Sequence, residues 1–280
     1  MMVFAGWKKR GMAVAVACLF LASCGGNRPP DVPLETLSAE QIYNRAEFQI
    51  AAGDPEGAAR FFGEVERLYP YSEWARRALV MQAFSYHRSR DYDASRGAAQ
   101  RFLDTYPGDE EAPYAQYLLA LSYYDQIDDV GRDQGLTFQA LQALRDVIER
   151  YPDSEYATSS ILKFDLAFDH LAAKEMEIGR YYLRQRHYTA AINRFRVVVE
   201  DFQTTTQTPE ALHRLVEAYL SLGAAEEAQT AGAILGYNYQ SSQWYLDSYR
   251  LLAEQGLAPA AQGDNWLASI YRQVILGQWI

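Results

Sequence analysis

YPYSEWA, residues 69–75, returns as YPDSEYA at 151–157 and more loosely as YPGDEEA at 106–112. None of the three carries a catalytic pattern, so the repetition itself needs a cause. The proline cannot continue a helix arriving from upstream, because it lacks the amide and its ring clashes with the preceding turn. Ser72, Asp109 and Ser154 then stand where a following helix needs an N-cap. Glu73, Glu110 and Glu155 suit the positive end of that helix. Ala75, Ala112 and Ala157 follow, small enough for close helix contact. The phrase is predicted to be a joint between helices. Pro70 to Pro107 is 37 residues and Pro107 to Pro152 is 45, with an insertion near 126–133 taking up the difference. A period in the thirties with two helices per unit marks a solenoid.

Outward from the joints, apolar residues recur at three- and four-residue spacing from Ser38 onward, and no alternating strand of convincing length appears. Ser38 and Gln41 form a capping box. Gly53, Asp54 and Pro55 stop one helix, cap the next and supply its first-turn proline, and Thr208-Pro209-Glu210 repeats that start signal. The recurring small and aromatic residues resemble the tetratricopeptide repeat. They are Ala46, Gly53, Ala58, Phe62 and Pro70, then Ala83, Tyr86, Ala94, Ser95 and Pro107. Ala120, Tyr123 and Pro152 follow, then Gly179, Tyr182, Tyr188, Ala191 and Phe195, and finally Tyr219, Gly223 and Ala228. The expected fold is all-α: an α-solenoid of about five such helix pairs over 38–236, with a C-terminal helical extension over 237–280. In that extension Trp266, Leu267, Ile270, Tyr271, Val274 and Ile275 share one helical face. That face suits a cap on the last repeat, or else a partner-binding or membrane-surface helix, the last weakened by few basic residues.

Residues 1–23 read as a lipoprotein signal peptide. Lys8, Lys9 and Arg10 precede an apolar run from Met12 to Ala22, too short to span a bilayer. Leu21-Ala22-Ser23-Cys24 resembles the bacterial lipobox, so Cys24 is expected to carry diacylglycerol and an N-acyl chain, the only non-protein group expected. Several acyl chains together anchor a protein firmly. Gly25 after that cysteine favours the outer membrane, by resemblance to enterobacterial lipoproteins. Residues 24–37, rich in Gly and Pro, read as a tether. Both cysteines, Cys18 and Cys24, lie in this region, which leaves no internal disulfide. Loss of the leader removes three basic and no acidic residues, so the net charge moves from −10 to −13. That balance argues against nucleic acid as a partner.

No phosphate loop, nucleotide fingerprint, zinc spacing or nucleophile elbow is present. His87, His170, His187 and His213 are scattered, and Asp125, Asp128, Asp129 and Asp133 miss the calcium-loop spacing. No metal site and no enzyme is expected. A helical solenoid instead offers a concave groove to extended peptides or another domain. The repeat pattern brings Tyr43, Glu47, Arg77, Phe84, His87, Arg88, Tyr114, Tyr117 and Tyr124 towards it. Aromatic shelves with arginines suit a peptide with aromatic side chains and a carboxylate end.

The likeness extends further. DVGRDQ at 129–134, EMEIGRYY at 175–182 and AAINR at 190–194, with the lipobox and about five repeats, resemble the BamD family. Its members are lipoprotein subunits of the outer-membrane β-barrel assembly machinery. The likeness covers roughly 20–250; the proline expected after Phe202 is missing, and the tail beyond about 255 has no match. The resemblance implies a non-catalytic scaffold at the periplasmic face of the outer membrane. Its partners would be the barrel-forming subunit, other lipoproteins of the complex and unfolded outer-membrane proteins. Asn193 and Arg194 match the region that docks the barrel subunit, while the N-terminal repeats would receive C-terminal targeting signals. A tetratricopeptide lipoprotein of another envelope machine, such as a pilotin or a division coordinator, remains open. A lytic transglycosylase is the enzymatic alternative, for which no residues remain to build a catalytic domain.

Overall fold

The computed structural model describes residues 32–260 and 266–275. The leader, Cys24 and most of the tether lie outside them, as do the side chains of Val274 and Ile275. Among the described residues twelve α-helices and no strand occur. Five antiparallel pairs follow one another: α1 (Ala39–Ala51) with α2 (Pro55–Leu68), α3 (Glu73–Arg88) with α4 (Tyr92–Thr105), α5 (Ala112–Tyr124) with α6 (Gly135–Arg150), α7 (Glu155–Arg184) with α8 (Tyr188–Asp201), and α9 (Thr208–Leu222) with α10 (Ala225–Asn238). A sixth first helix, α11 (Gln243–Glu254), and the short α12 (Trp266–Ile270) complete the series. The architecture is a tetratricopeptide-like solenoid.

The quoted joint occurs five times, not three. Tyr69, Tyr106, Tyr151, Phe202 and Tyr239 each end a second helix with φ between −135° and −124°. Each carbonyl accepts the amide three residues on, from Ser72, Asp109, Ser154, Thr205 and Ser242, at 2.9–3.1 Å. Ser72, Ser154 and Ser242 then cap the next helix. At the last two joints Gln203 and Gln240 replace the proline, so the aromatic is the common element. Its ring packs into the adjoining core at every joint. Asp109 departs from the expected capping role. Pro113 enters the first turn of α5, the helix starts at Ala112, and Glu111 occupies the cap without a side-chain bond. Asp109 instead accepts the Glu111 amide at 2.9 Å and pairs with Arg76 across the joint. The start at Thr208 is likewise uncapped by a side chain; Thr208 is buried and donates to the Phe202 carbonyl at 2.9 Å.

Within four of the pairs the turn is also conserved in geometry. Gly53, Arg90, Arg186 and Gly223 adopt φ of 82°, 64°, 61° and 76°. The following amide, of Asp54, Asp91, His187 or Ala224, returns to the carbonyl five residues back at 2.9 Å. This is the Schellman closure, which favours glycine. Two arginines therefore hold a backbone conformation that costs an L-residue about 1–2 kcal/mol.

The third pair lacks this turn. Residues 126–134 form the expected insertion, held by Asp129 and Asp133 accepting the amides of Gly131 and Gly135. Beyond it, α7 runs 30 residues, about two ordinary helices long. Its first half shares a core with α6 through Phe164, Ala167 and Leu171. Its second half, through Ala172 and Met176, joins α8 and α9. Gly179 lets the Phe195 ring lie directly on the α7 backbone; an added methyl would collide with that ring. The small-residue positions of the repeat pattern thus set helix approach, as Ala46, Ala58, Ala83, Ala191 and Ala228 also show by their complete burial.

At the ends, Leu34 and Leu37, placed in the tether by the sequence, pack on the first pair, and Tyr69 donates its hydroxyl to the Leu37 carbonyl. The C-terminal segment folds back. The Ala260 amide donates to Gln229, Trp266 donates to the Tyr219 hydroxyl at 3.0 Å, and Leu267 and Ile270 are buried in the last core.

Candidate functional site

First helices of successive pairs touch in sequence, α1 with α3, α3 with α5, α5 with α7, and so on to α11. Such a row lines the concave side of a helical-pair stack. The candidate groove residues fall on its N-terminal part and form three clusters, one at each seam.

At the α1–α3 seam Tyr43 is only 7% exposed, its ring 5.1 Å from Phe62 and 5.0 Å from Trp74. Tyr43 is therefore a packing residue and not an open groove wall, because Trp74 covers it. Burial raises its pKa, with Glu47 adding to the rise and Arg77 opposing it. Arg77 is exposed and lies over the Trp74 ring at 5.5 Å. At the α3–α5 seam Phe84 is half-buried beneath Arg88, whose guanidinium stands 5.7 Å from the ring centre. His87 Nε2 lies 3.0 Å from the Asp125 carboxylate, without the alignment of a hydrogen bond, and its ring meets Tyr92 edge-on.

The α5–α7 seam holds the densest cluster. Tyr156 packs its ring 5.2 Å from Tyr114 and 5.3 Å from Tyr117. Lys163 Nζ stands 5.8 Å above both Tyr117 and Tyr124. Burial pushes the Tyr114 hydroxyl up to about 12, with smaller contributions from Tyr156 and Glu111. Tyr156 is pushed up to about 12 as well, by burial and by its bond to Glu155. Both therefore stay protonated, offering neutral aromatic faces and hydroxyl donors at neutral pH.

Trp74, Tyr156 and Lys163 were not singled out by sequence reasoning. A signal for the first two existed: both occupy the sixth position of the joint phrase, as do Glu111 and Trp244 at two other joints. At Trp74, Tyr156 and Trp244 that position opens a first helix and lays its ring against the preceding first helix. Lys163 had no local signal, since its rings lie some forty residues away in sequence on another helix.

Asn193 and Arg194 lie on α8, away from these clusters. They line a shallow cleft with Tyr182, Ala190 and Val197. Asn193 is exposed; Arg194 Nη1 pairs with Glu175 Oε2 of α7 at 3.0 Å. The segments quoted at 175–182 and 190–194 thus face each other across one helix pair. Among the described residues no cluster of His, Cys, Asp or Glu could hold a metal ion, and no helix is long and apolar enough to cross a membrane.

A family model described as YfiO, outer membrane lipoprotein, matches residues 35–234. The chain belongs to the YfiO family. The matched YfiO segment takes in the first four helix pairs, most of the fifth, both candidate surfaces and the insertion. Among curated relatives, the outer membrane protein assembly factor BamD of Caulobacter vibrioides is 46% identical over 261 residues, spanning 93% of this chain and 86% of that protein. The factor of the same name from Rickettsia prowazekii is 40% identical over 243 residues, spanning 86% of this chain and 95% of that protein. That from Neisseria meningitidis serogroup A is 26% identical over 223 residues, spanning 76% and 84%.

Proposed function

We propose that this YfiO-family chain is a non-catalytic scaffold of outer-membrane protein assembly, anchored in the outer membrane through a lipid on Cys24. Kinship with relatives named assembly factors, at 46% and 40% identity over most of the chain, carries the reading. The chemistry of the two surfaces supports a division of labour. Aromatic shelves with cations at the N-terminal seams suit an extended segment of an unfolded outer-membrane protein. The cleft around Asn193 and Arg194 would dock the periplasmic part of the barrel-forming subunit, with further lipoproteins on other faces.

The test is a pull-down from detergent-solubilised membranes, in which the barrel-forming subunit should co-purify with this chain. Its absence would count decisively against the reading. Arg194→Glu should weaken that association, whereas Glu175→Gln, which frees the arginine from its intramolecular partner, should not. Radiolabelled palmitate should enter the full chain and fail to enter a Cys24→Ala variant.

A further inference from the structure

Among the described residues seven cations lie over aromatic rings. Three of them, Arg96, Arg196 and Arg214, also hold a carboxylate. Arg77, Arg88, Arg145 and Lys163 do not pair with one among the described residues. In a chain with 36 acidic and 26 basic residues, cations without an acidic partner stand out. Lys163 is distinct even among these four, since it reaches two rings, Tyr117 and Tyr124, from the facing helix.

At the other end of the same tyrosine row stands Glu111. It is exposed, caps α5 and has no ion pair among the described residues. Its charge nevertheless reaches Tyr114 and Tyr156, both of which it helps raise. An α-helix rises 1.5 Å per residue, so the level of Tyr117 and Tyr124 lies roughly 14 Å beyond Glu111 along α5. An extended chain advances about 3.3 Å per residue, so that span equals about four residues. The rings of Tyr114, Tyr117 and Tyr156 pack together along this seam.

We propose that Lys163 and Glu111 are the charged ends of one peptide subsite, which fixes the register of an extended segment. The Lys163 ammonium takes a carboxylate, Glu111 takes a basic side chain about four residues away, and the aromatic side chains between them lie on the tyrosine row. The inference rests on the groove reading above and adds to it a charge rule. The carboxylate can be an Asp or Glu side chain or a chain terminus, because an ammonium is a point donor that reads charge and not geometry.

The experiment measures fluorescence anisotropy of labelled decapeptide amides with the full-length lipoprotein in detergent. One peptide carries Lys and Glu four residues apart around two phenylalanines; its counterparts carry Lys and Lys, or Glu and Glu. A fourth, ending as the free acid and not the amide, carries its only anion as the terminal carboxylate at the Glu position. The wild type should prefer the mixed-charge peptide by about fivefold over either like-charged one, the scale of a partly exposed ion pair. Lys163→Glu should move the preference to the Lys–Lys peptide, and Glu111→Lys to the Glu–Glu peptide. Lys163→Met keeps the stem on the rings, so it should bind aromatics and lose the discrimination, with unchanged circular dichroism. Binding of the fourth peptide at full strength shows that a chain terminus serves as well as a side chain; weak binding restricts the site to side chains. Equal wild-type affinity for all charge patterns, or uniform weakening by Lys163→Glu, would overturn the charge rule and leave the groove standing. Failure to bind any of the peptides would remove the groove itself.

Discussion

The two halves of the solenoid use the same repeat to different ends. From α7 onward one continuous core of twenty buried residues joins α7, α8, α9, α10, α11 and α12, whereas the first six helices and the start of α7 share four smaller clusters. Charges divide less sharply. Both halves hold ion pairs, such as Arg76 with Asp109 and Arg101 with Glu66 in the first. The ring-bound cations without a carboxylate among the described residues, however, all lie between α3 and the first half of α7. In the C-terminal half Glu210 holds Arg180 at 3.0 Å and Arg214 at 3.2 Å, Arg214 also reaches Glu217, and Arg194 holds Glu175. In the N-terminal half Arg77, Arg88 and Lys163 rest on rings. Ion pairs satisfied within the chain tie helices to one another, while cations on rings without such a partner keep their charge available to a ligand. The comparison describes a firm platform joined to a more adaptable receiving surface.

The largest effect should come from emptying the platform. Phe195 is fully buried against α7, and Phe195→Ala should cost about 3–5 kcal/mol in urea unfolding. Hydrogen exchange should show protection falling throughout α8 to α10. Phe102→Ala, in the smaller cluster of α3 to α5, should lower protection there and leave α9 and α10 unchanged. If both variants loosen the whole chain equally, the division into halves is wrong.

Next in size is the charged bridge. Glu210→Gln removes the shared partner of Arg180 and Arg214, leaving two half-buried guanidiniums undercompensated, and should cost about 1–3 kcal/mol. Removal of charge from Lys163 should leave stability unchanged, which sharpens the contrast between a structural and a ligand-directed cation.

Arg90→Gly and Arg186→Gly should each raise stability by up to about 1 kcal/mol, because glycine adopts the positive φ without strain. Part of that gain is lost to the greater freedom of glycine in the unfolded chain. A fall in thermal midpoint for both variants would show that the arginines contribute contacts that outweigh their strain.

The smallest effect concerns pH. Burial lowers the pKa of His213, against Glu217, whose charge raises it; Arg214 lowers it further, and Asp247 and Glu210 oppose. Its Nδ1 lies 2.9 Å from the Ser248 hydroxyl of α11, and its ring 5.2 Å from Trp244. A folded pKa below the unfolded value near 6.5 means that the unfolded chain binds the proton better. The contribution is whole above pH 6.5 and is lost as pH falls through the folded pKa. Exchange protection of α11 should therefore decline on mild acidification, and His213→Gln should flatten that dependence.

Legibility in the sequence followed the range of the interaction responsible. The capping box at Ser38 and Gln41, the caps at Ser72 and Ser154, and the stop at Gly53 and Asp54 were readable because each involves residues three or four apart. The turns at Arg90 and Arg186 were not, since arginine gives no hint of a left-handed backbone. The length of α7 left a negative trace: no glycine or proline occurs from Glu155 to Ile178, where a regular period would require a turn. The sequence placed the candidate groove residues along one row of helices. It could not say that Trp74 would cover Tyr43, or that Lys163 would come to rest on Tyr117.

Sequence by itself determined a repeat of paired helices with joints at set places, because proline, capping side chains and apolar periodicity act within one or two turns of chain. Tertiary structure alone decided which rings are covered, which cations find carboxylates and where the stack changes character. Those outcomes depend on residues tens of positions apart that meet only when neighbouring helices settle into contact.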